Sequence, residues 1–68
     1  MEKFDLVKKI AVISKKASVS TEVNIIKWFN REEKYDIRTW QGDKPLKGIA
    51  LSVEEIKELK RILNELDI

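Results

Sequence analysis

Three side chains with binding chemistry share one side of a short alternating segment. The run 34–40 reads Lys-Tyr-Asp-Ile-Arg-Thr-Trp, an alternation of β-forming residues that predicts a strand. Because strand side chains point to opposite faces in turn, Lys34, Arg38 and Trp40 would lie together. Basic groups can follow a phosphate backbone, and flat rings can stack on unpaired bases at roughly 1–3 kcal/mol per base. The segment therefore predicts a surface for single-stranded nucleic acid on the side away from the core.

Each of these side chains also has a plainer interpretation. The charged residues of this strand can form a solvated ladder of cross-strand charges. Trp40 can pack beneath the 41–46 loop or between two copies of the chain. Lys47, which we expect on the next strand as a further basic contact, can instead protect a sheet edge.

The preceding strand allows two registers. If the odd-numbered residues of the run 21–30 faced the core, Lys27 would be buried with them. If the even-numbered residues face inward, Trp28 joins the core, and Lys27 and Phe29 lie on the ligand side. We prefer the second register, which leaves Ile25 exposed unless a partner covers it. A bulge can also switch the register midway.

The composition argues against catalysis. The chain has neither Cys nor His, which removes disulfides, the commonest zinc ligands and the commonest general base. Its two glycines, Gly42 and Gly48, cannot form a Gly-rich phosphate loop. We therefore expect a protein that is not an enzyme and that needs no metal and no cofactor.

Apolar runs that are separated by polar connections and turn residues predict four strands followed by a helix. A polar connection is expected at 16–20, and Gly and Pro mark a turn at 41–45. The predicted class is α+β, in the order β-β-β-β-α, with the last two strands forming a hairpin. The strands are expected over 6–15, 21–30, 34–40 and 47–51.

A helix is predicted at about 52–66. Ser52-Val53-Glu54-Glu55 is a capping box, and apolar residues follow at the spacing of an amphipathic helix. This apolar stripe can pack on the sheet of its own chain or take part in dimerisation. The residues expected at a dimer interface are Ile56, Leu59, Leu63 and Leu66.

The length of 68 residues allows one domain, which we expect to span 1–68. A chain of this size buries only about 60% of its unfolded surface, and without disulfides or metals self-association is the remaining source of stability.

No run approaches the roughly 20 apolar residues of a membrane span, and no signal peptide is evident. We therefore expect a cytoplasmic, nucleoid-associated protein. Residues 1–51 carry 11 basic and 7 acidic side chains, so the basic excess lies in the predicted sheet.

Two short motifs in the second half of the chain resemble a known family. Asp36-Ile37-Arg38 with Trp40, then Lys47-Gly48-Ile49-Ala50-Leu51 and an acidic-started helix, are similar to the positive-cofactor-four family of transcriptional coactivators. The similarity is greatest to its YdbC-like bacterial branch and covers most of the chain from Thr21 onward. It implies a curved four-stranded antiparallel sheet with one C-terminal helix, paired as a homodimer that binds single-stranded DNA with little sequence preference.

The resemblance also implies roles for individual residues. Arg38 matches an arginine at the DNA surface, and Lys47 matches the lysine that precedes Gly-Ile. Trp40 falls at or beside a stacking aromatic position. On the preceding strand, Lys27 matches a basic position and Phe29 matches a stacking aromatic position. Asn30 and Glu32 stand where eukaryotic members tend to carry lysine, which implies a weaker grip on phosphate.

Two functions are therefore in competition. The first is non-enzymatic binding of single-stranded DNA in transcription regulation, replication or repair, with RNA as an alternative ligand and the transcription or repair machinery as further partners. The second is a protein-interaction module that uses the helix stripe or the sheet face.

Overall fold

The computed structural model describes residues 4–29 and 31–68. Four antiparallel strands form one sheet in the order β1-β2-β3-β4, and a helix follows the last strand. The prediction of an α+β fold with a C-terminal helix is confirmed. The elements are β1 (Phe4–Lys16), β2 (Val19–Trp28), β3 (Glu33–Gln41), β4 (Lys44–Leu51) and α1 (Val53–Glu65).

Two hairpin connections are shorter than the sequence indicated. Only residues 17 and 18 join β1 to β2, where a connection was expected over 16–20. Gly42 and Asp43 join β3 to β4, and Gly42 takes a φ of 61°, a left-handed conformation that costs glycine nothing. Pro45, expected in the turn, lies within β4 opposite Trp40.

The register of the sheet decides which side chains share a face. Strands β2 and β3 pair without interruption from Val19 opposite Gln41 to Lys27 opposite Glu33. Directly opposed residues lie on the same face, so the even-numbered residues of both strands share one face and the odd-numbered residues the other. We call the first the tryptophan face; its β2 and β3 members are Ser20, Glu22, Asn24, Ile26, Trp28, Lys34, Asp36, Arg38 and Trp40.

The buried residues lie on the tryptophan face. Ile26 and Asp36 have no exposed surface, Asn24 is 1% exposed and Trp40 is 5% exposed. The ring of Phe4 lies 5.0 Å from that of Trp28 and 5.6 Å from that of Trp40, measured between centroids. The expectation that Trp40 lies on an open side of the sheet is therefore wrong, because the start of β1 packs against its indole ring.

The opposite face is only partly covered. Its central residues Val23, Ile25 and Ile37 are half-buried, while Ile49 of β4 is 56% exposed. Strand β1 pairs with β2 through three register shifts, and apolar side chains are exposed over much of its length. The buried residues thus lie at the centre of the tryptophan face, while exposed aliphatic side chains occur on both faces, since Leu6 and Val12 of β1 are opposite Ile26 and Glu22.

Helix α1 begins as the capping box predicts. Ser52 accepts a hydrogen bond from the Glu55 backbone N–H, and Glu55 accepts one from the Ser52 backbone N–H. The helix contacts β3 and β4, but none of its residues is fully buried. Among residues 4–29 and 31–68, the structure has no helix long and apolar enough to cross a membrane.

The expected dimer residues of α1 divide into two pairs. Ile56 and Leu59 are half-buried within the chain, which agrees with packing against the rest of the chain. Leu63 and Leu66 are each 50% exposed. The stripe is therefore partly used inside one copy and partly left at the surface.

Candidate nucleic-acid interface

A buried carboxylate on β3 organises one half of the tryptophan face. Asp36 accepts hydrogen bonds from the indole N–H of Trp28 at 3.1 Å and from Arg38 Nη2 at 2.8 Å. Arg38 Nε also donates to this carboxylate. A carboxylate without solvent access needs such donors, because an unpaired buried charge is strongly destabilising.

The guanidinium of Arg38 is held from three directions. Besides its bonds to Asp36, Nη1 donates to the Leu46 carbonyl at 3.0 Å, and Cζ lies 4.7 Å from the centroid of the Trp28 ring. The side chain is 15% exposed. Arginine has five N–H donors, and three of them are hydrogen-bonded among the described residues. Arg38 therefore positions Trp28 as well as offering a partly available positive charge.

Close approach of β4 fixes the backbone beneath this arginine. Gly48 lies opposite Arg38, and a Cβ added at Gly48 would overlap with the Cβ of Arg38. The Lys-Gly-Ile motif thus has a steric explanation, because only glycine fits where the two strands come together.

An open cleft lies beside the Trp28 ring. Its volume is about 380 Å³, and we call it the Trp28 cleft. It combines two aromatic rings, three cationic side chains and one carboxylate. These residues are Trp28, Phe29, Arg31, Lys34, Arg38 and Glu32.

Phe29 is the most exposed ring at this cleft. It is 53% exposed, and its ring centroid lies 6.2 Å from that of Trp28. Its φ is 50°, a left-handed conformation that is unfavourable for a bulky side chain. Strained backbone of this kind is concentrated at binding and catalytic sites, where the strain fixes a side chain in place. The geometry presents an aromatic ring to solvent beside a second ring and several cations.

The structure brings together only part of the predicted site. Phe29, Lys34 and Arg38 line the Trp28 cleft. Lys27 does not, because it lies opposite Glu33 on the other face of the sheet. Lys47 is exposed near the register shift that follows Arg38, and it does not line the cleft.

Trp28 and Arg31 line the cleft but were not among the predicted site residues, whereas the predicted site residue Trp40 does not line it. Trp28 was expected in the core, but it is half-buried at the cleft wall. Arg31 follows β2 in a segment without Gly or Pro, so no sequence signal indicated its direction. Trp40 was expected on an open surface and is buried. Asn30, expected to weaken the grip on phosphate, lies outside the described residues, while Glu32 lines the cleft.

A second, smaller cavity lies elsewhere on the tryptophan face. Its volume is about 230 Å³, and we call it the Trp40 cavity. Trp40 Nε1 is buried and has no hydrogen-bond partner within 4–29 and 31–68. An unsatisfied buried donor costs about 1–3 kcal/mol, so this N–H is an exception in the polar network. The residues that line this cavity are Phe4, Leu6, Lys9, Glu22, Asn24, Trp40, Gly42 and Asp43.

Glu22 supplies a charged group to this cavity. Ser20 Oγ donates to Glu22 Oε2 at 2.6 Å, and Asn24 Nδ2 donates to Oε1 at 3.3 Å. These hydrogen bonds, that from Ser20 above all, lower the pKa of Glu22 below its usual 4.5, with a smaller contribution from the charges of Lys9 and Lys15. The carboxylate is therefore ionised at neutral pH and accepts hydrogen bonds but cannot donate them.

Comparison with known proteins gives a partial match to a curated relative. No family model matches the chain. A curated protein of Treponema pallidum (strain Nichols), whose description is "Uncharacterized protein", is 43% identical over 51 residues. The match covers 72% of this chain and 60% of the relative, so the chain spans less than two thirds of the relative's length. The relative's description states no ligand or reaction.

Proposed function

We propose that this protein binds single-stranded DNA, without catalysis and with little overall sequence preference, at the Trp28 cleft. The observation that carries the proposal is the exposed Phe29 ring beside the Trp28 ring, with cationic side chains around both. Single-strand binders combine stacking platforms with positive charge in this way. The resemblance to the positive-cofactor-four family supports the same function through Phe29 and Arg38.

The charges at the cleft suit a phosphate backbone that runs past the rings. Arg31 is exposed and Lys34 is half-buried, whereas Arg38 is largely neutralised by Asp36. Glu32 offsets one positive charge at the rim. We therefore expect only a few phosphate contacts and a shallow fall in affinity with salt, at about 0.7 log units per log unit of salt for each contact.

We also assign a homodimer to this protein. Val53, Ile62 and Leu63 of α1 and its C-cap residue Leu66 are each 41–50% exposed, and Ile49 of β4 is 56% exposed. A second copy could cover this apolar surface, which a small domain gains stability by burying. Pairing would also place two Trp28 clefts in one assembly, so that one strand could contact both.

The biological setting follows from the ligand. A binder of unpaired strands acts where duplexes open, in transcription, replication or repair, and belongs at the nucleoid in the cytoplasm. RNA offers the same stacking faces and phosphates, so it is a competing ligand for the same cleft.

A fluorescence anisotropy titration tests the proposal. The probe is a fluorescein-labelled oligothymidine, with the matching duplex and an oligouridine as competitors. Single-stranded DNA should bind best, and Phe29→Ala should weaken binding about tenfold through loss of one stacking ring. The matched control is Ile13→Ala, because Ile13 is 61% exposed and lies on β1, away from the cleft. Unchanged affinity of folded Phe29→Ala, or no binding by the native protein, would reject the proposal.

A protein-interaction module is the second candidate. The observation that favours it is the exposed apolar surface of β1, where Val7, Ile10, Val12 and Ile13 are 45–61% exposed. A chain that acts only as an adaptor would leave the oligonucleotide probe unbound in the same titration, which separates the two candidates.

A further inference from the structure

Arg38 has two acidic neighbours on the tryptophan face and pairs with the one on its own strand. Glu22 lies directly opposite Arg38 across β2 and β3, but its carboxylate accepts hydrogen bonds from Ser20 and Asn24. The ion pair of Arg38 is formed with Asp36, two residues earlier on β3. Nε donates to one oxygen of this carboxylate and Nη2 to the other. The pair is therefore bidentate, a strong geometry that also fixes the orientation of the guanidinium.

Burial makes this pair difficult for a phosphate to displace. The Asp36 side chain has no exposed surface, and that of Arg38 is 15% exposed. A phosphate that drew the guanidinium away would leave the carboxylate buried without its charged partner, which is strongly destabilising. Because Nη1 donates to the Leu46 carbonyl at 3.0 Å, that hydrogen bond would be lost as well. The positive charge of Arg38 is thus engaged within the protein.

The same contacts place the guanidinium against the Trp28 ring. The Arg38 Cζ lies 4.7 Å from the ring centroid, and the Trp28 N–H donates to the Asp36 carboxylate at 3.1 Å. One carboxylate thereby fixes a flat cation and an aromatic ring relative to each other. Arg38 and Trp28 both line the Trp28 cleft. Unpaired bases stack on arginine planes as well as on aromatic rings, so the two groups suit the same part of a ligand.

Arg31 is held differently at the same cleft. It is an exposed residue, and its backbone N–H donates to the Trp28 carbonyl at 2.8 Å, which keeps it beside the ring. An exposed guanidinium can turn towards a phosphate without leaving a buried acceptor unpaired. Arg31 is therefore the matched control for Arg38.

We propose that Asp36 is a positioning residue of the Trp28 cleft, which directs the Arg38 guanidinium to the Trp28 ring and the bases and withholds it from the phosphates. This inference rests on the proposed function and assigns the phosphate contact to Arg31. Each phosphate contact to a single strand makes log affinity fall by about 0.7 per log unit of salt, because counterions are released. Stacking on a guanidinium plane releases none. The salt dependence of binding therefore reports which role each arginine has.

The test measures the affinity for fluorescein-labelled oligothymidine by anisotropy at several salt concentrations. Arg38→Gln removes the charge and the plane, so it should weaken binding about fivefold while the salt slope keeps its native value. Arg38→Lys retains the charge without the plane and should weaken binding by a similar factor. The control Arg31→Gln should reduce the slope by about 0.7. Circular dichroism shows which variants are folded.

Asp36→Asn tests the positioning role itself. The amide has nearly the same shape but no charge, so the Arg38 guanidinium becomes available to a phosphate. The salt slope should steepen by about 0.7, the value for one added contact. The double variant Asp36→Asn with Arg38→Gln should return the slope to the native value. A purely structural role of Asp36 would lower the affinity without steepening the slope.

The outcomes separate this inference from the proposed function. It is overturned if Arg38→Gln reduces the slope as Arg31→Gln does, if Arg38→Lys binds as tightly as the native protein, or if folded Asp36→Asn keeps the native slope. Each of these results leaves single-strand binding intact. If Asp36→Asn does not fold, weaker binding of Arg38→Gln with an unchanged slope still supports the inference. No binding of oligothymidine by the native protein overturns both proposals.

Discussion

Trp28 and Trp40 lie on one face of the sheet and pack against the same Phe4 ring, yet their indole groups are held differently. Trp28 donates its N–H to Asp36, supports Arg38 on its ring and lines an open cleft. Trp40 is 5% exposed, and its N–H has no partner within the described residues. Buried indole N–H groups usually find an acceptor. The comparison shows that residue type and face do not by themselves assign a binding role.

The neighbours of each ring explain the difference. Asp36 is central to the sheet, and Trp28 and Arg38 both donate to its carboxylate. Trp40 lies opposite Ser20 on one side and Pro45 on the other. The Ser20 hydroxyl is already oriented towards Glu22, and proline has no polar side chain. The indole of Trp28 is thus held in place by its acceptor at the cleft wall, whereas the N–H of Trp40 is buried without an acceptor among the described residues.

Removal of the Asp36 carboxylate should have the largest effect on this contrast. Asp36→Ala leaves the Arg38 charge and the Trp28 N–H without their acceptor, so Trp28 becomes as unsatisfied as Trp40. We expect a loss of about 3–5 kcal/mol in the free energy of unfolding, most of the stability of so small a domain. Urea denaturation followed by circular dichroism measures it. In the control Glu58→Ala, which breaks an exposed ion pair with Arg61, stability should barely change.

The two Trp→Phe variants measure the contrast itself. Each loses similar ring volume, but Trp28→Phe also loses a hydrogen bond to a buried carboxylate, whereas Trp40→Phe removes an unpartnered N–H. Trp28→Phe should therefore be less stable than Trp40→Phe by about 1.5–3 kcal/mol. The measurement is thermal or urea unfolding of both variants. Equal stability would show that the Trp28–Asp36 hydrogen bond has no net effect.

Acidification should change the free energy of unfolding least of the three tests, and this change should come from Glu22 at the Trp40 cavity. The pKa of Glu22 is lowered in the folded state, chiefly by the Ser20 hydroxyl, so the ionised form stabilises the fold above the unfolded value near 4.5. That contribution is lost as the pH falls through the folded pKa, below 4.5. Unfolding experiments from pH 7 to pH 3 should show a smaller fall in Glu22→Gln than in the native chain. Identical profiles would mean that the Ser20–Glu22 hydrogen bond does not favour the carboxylate.

Local sequence signals predicted the elements well. The Ser52–Glu55 capping box fixed the start of the helix, and the alternation of 34–40 gave a strand of nearly the observed length. Gly42 marked the β3–β4 turn because a two-residue hairpin favours a left-handed backbone. These features depend on neighbouring residues alone, which is why a single sequence suffices to predict them.

The assignment of faces depended on longer-range information. Lys27 was grouped with Arg38 because the faces of the two strands were assigned separately, and the pairing of Ile26 with Lys34 shows that they lie on opposite sides. Trp40 is buried because Phe4, far away in sequence, packs near it. No periodicity within one strand encodes such a contact. The burial of Asp36 depends likewise on two donors that meet only in the folded sheet.

The most direct test of the central claim uses Trp28 as the sole tryptophan. The chain has two tryptophans, so Trp40→Phe leaves the indole at the proposed stacking cleft as the fluorescent group. Titration with oligothymidine should quench its emission in a saturable way, and the added change Phe29→Ala should weaken the apparent affinity about tenfold. Unchanged emission from this folded variant at concentrations where the anisotropy of a labelled strand saturates would contradict binding at the Trp28 cleft.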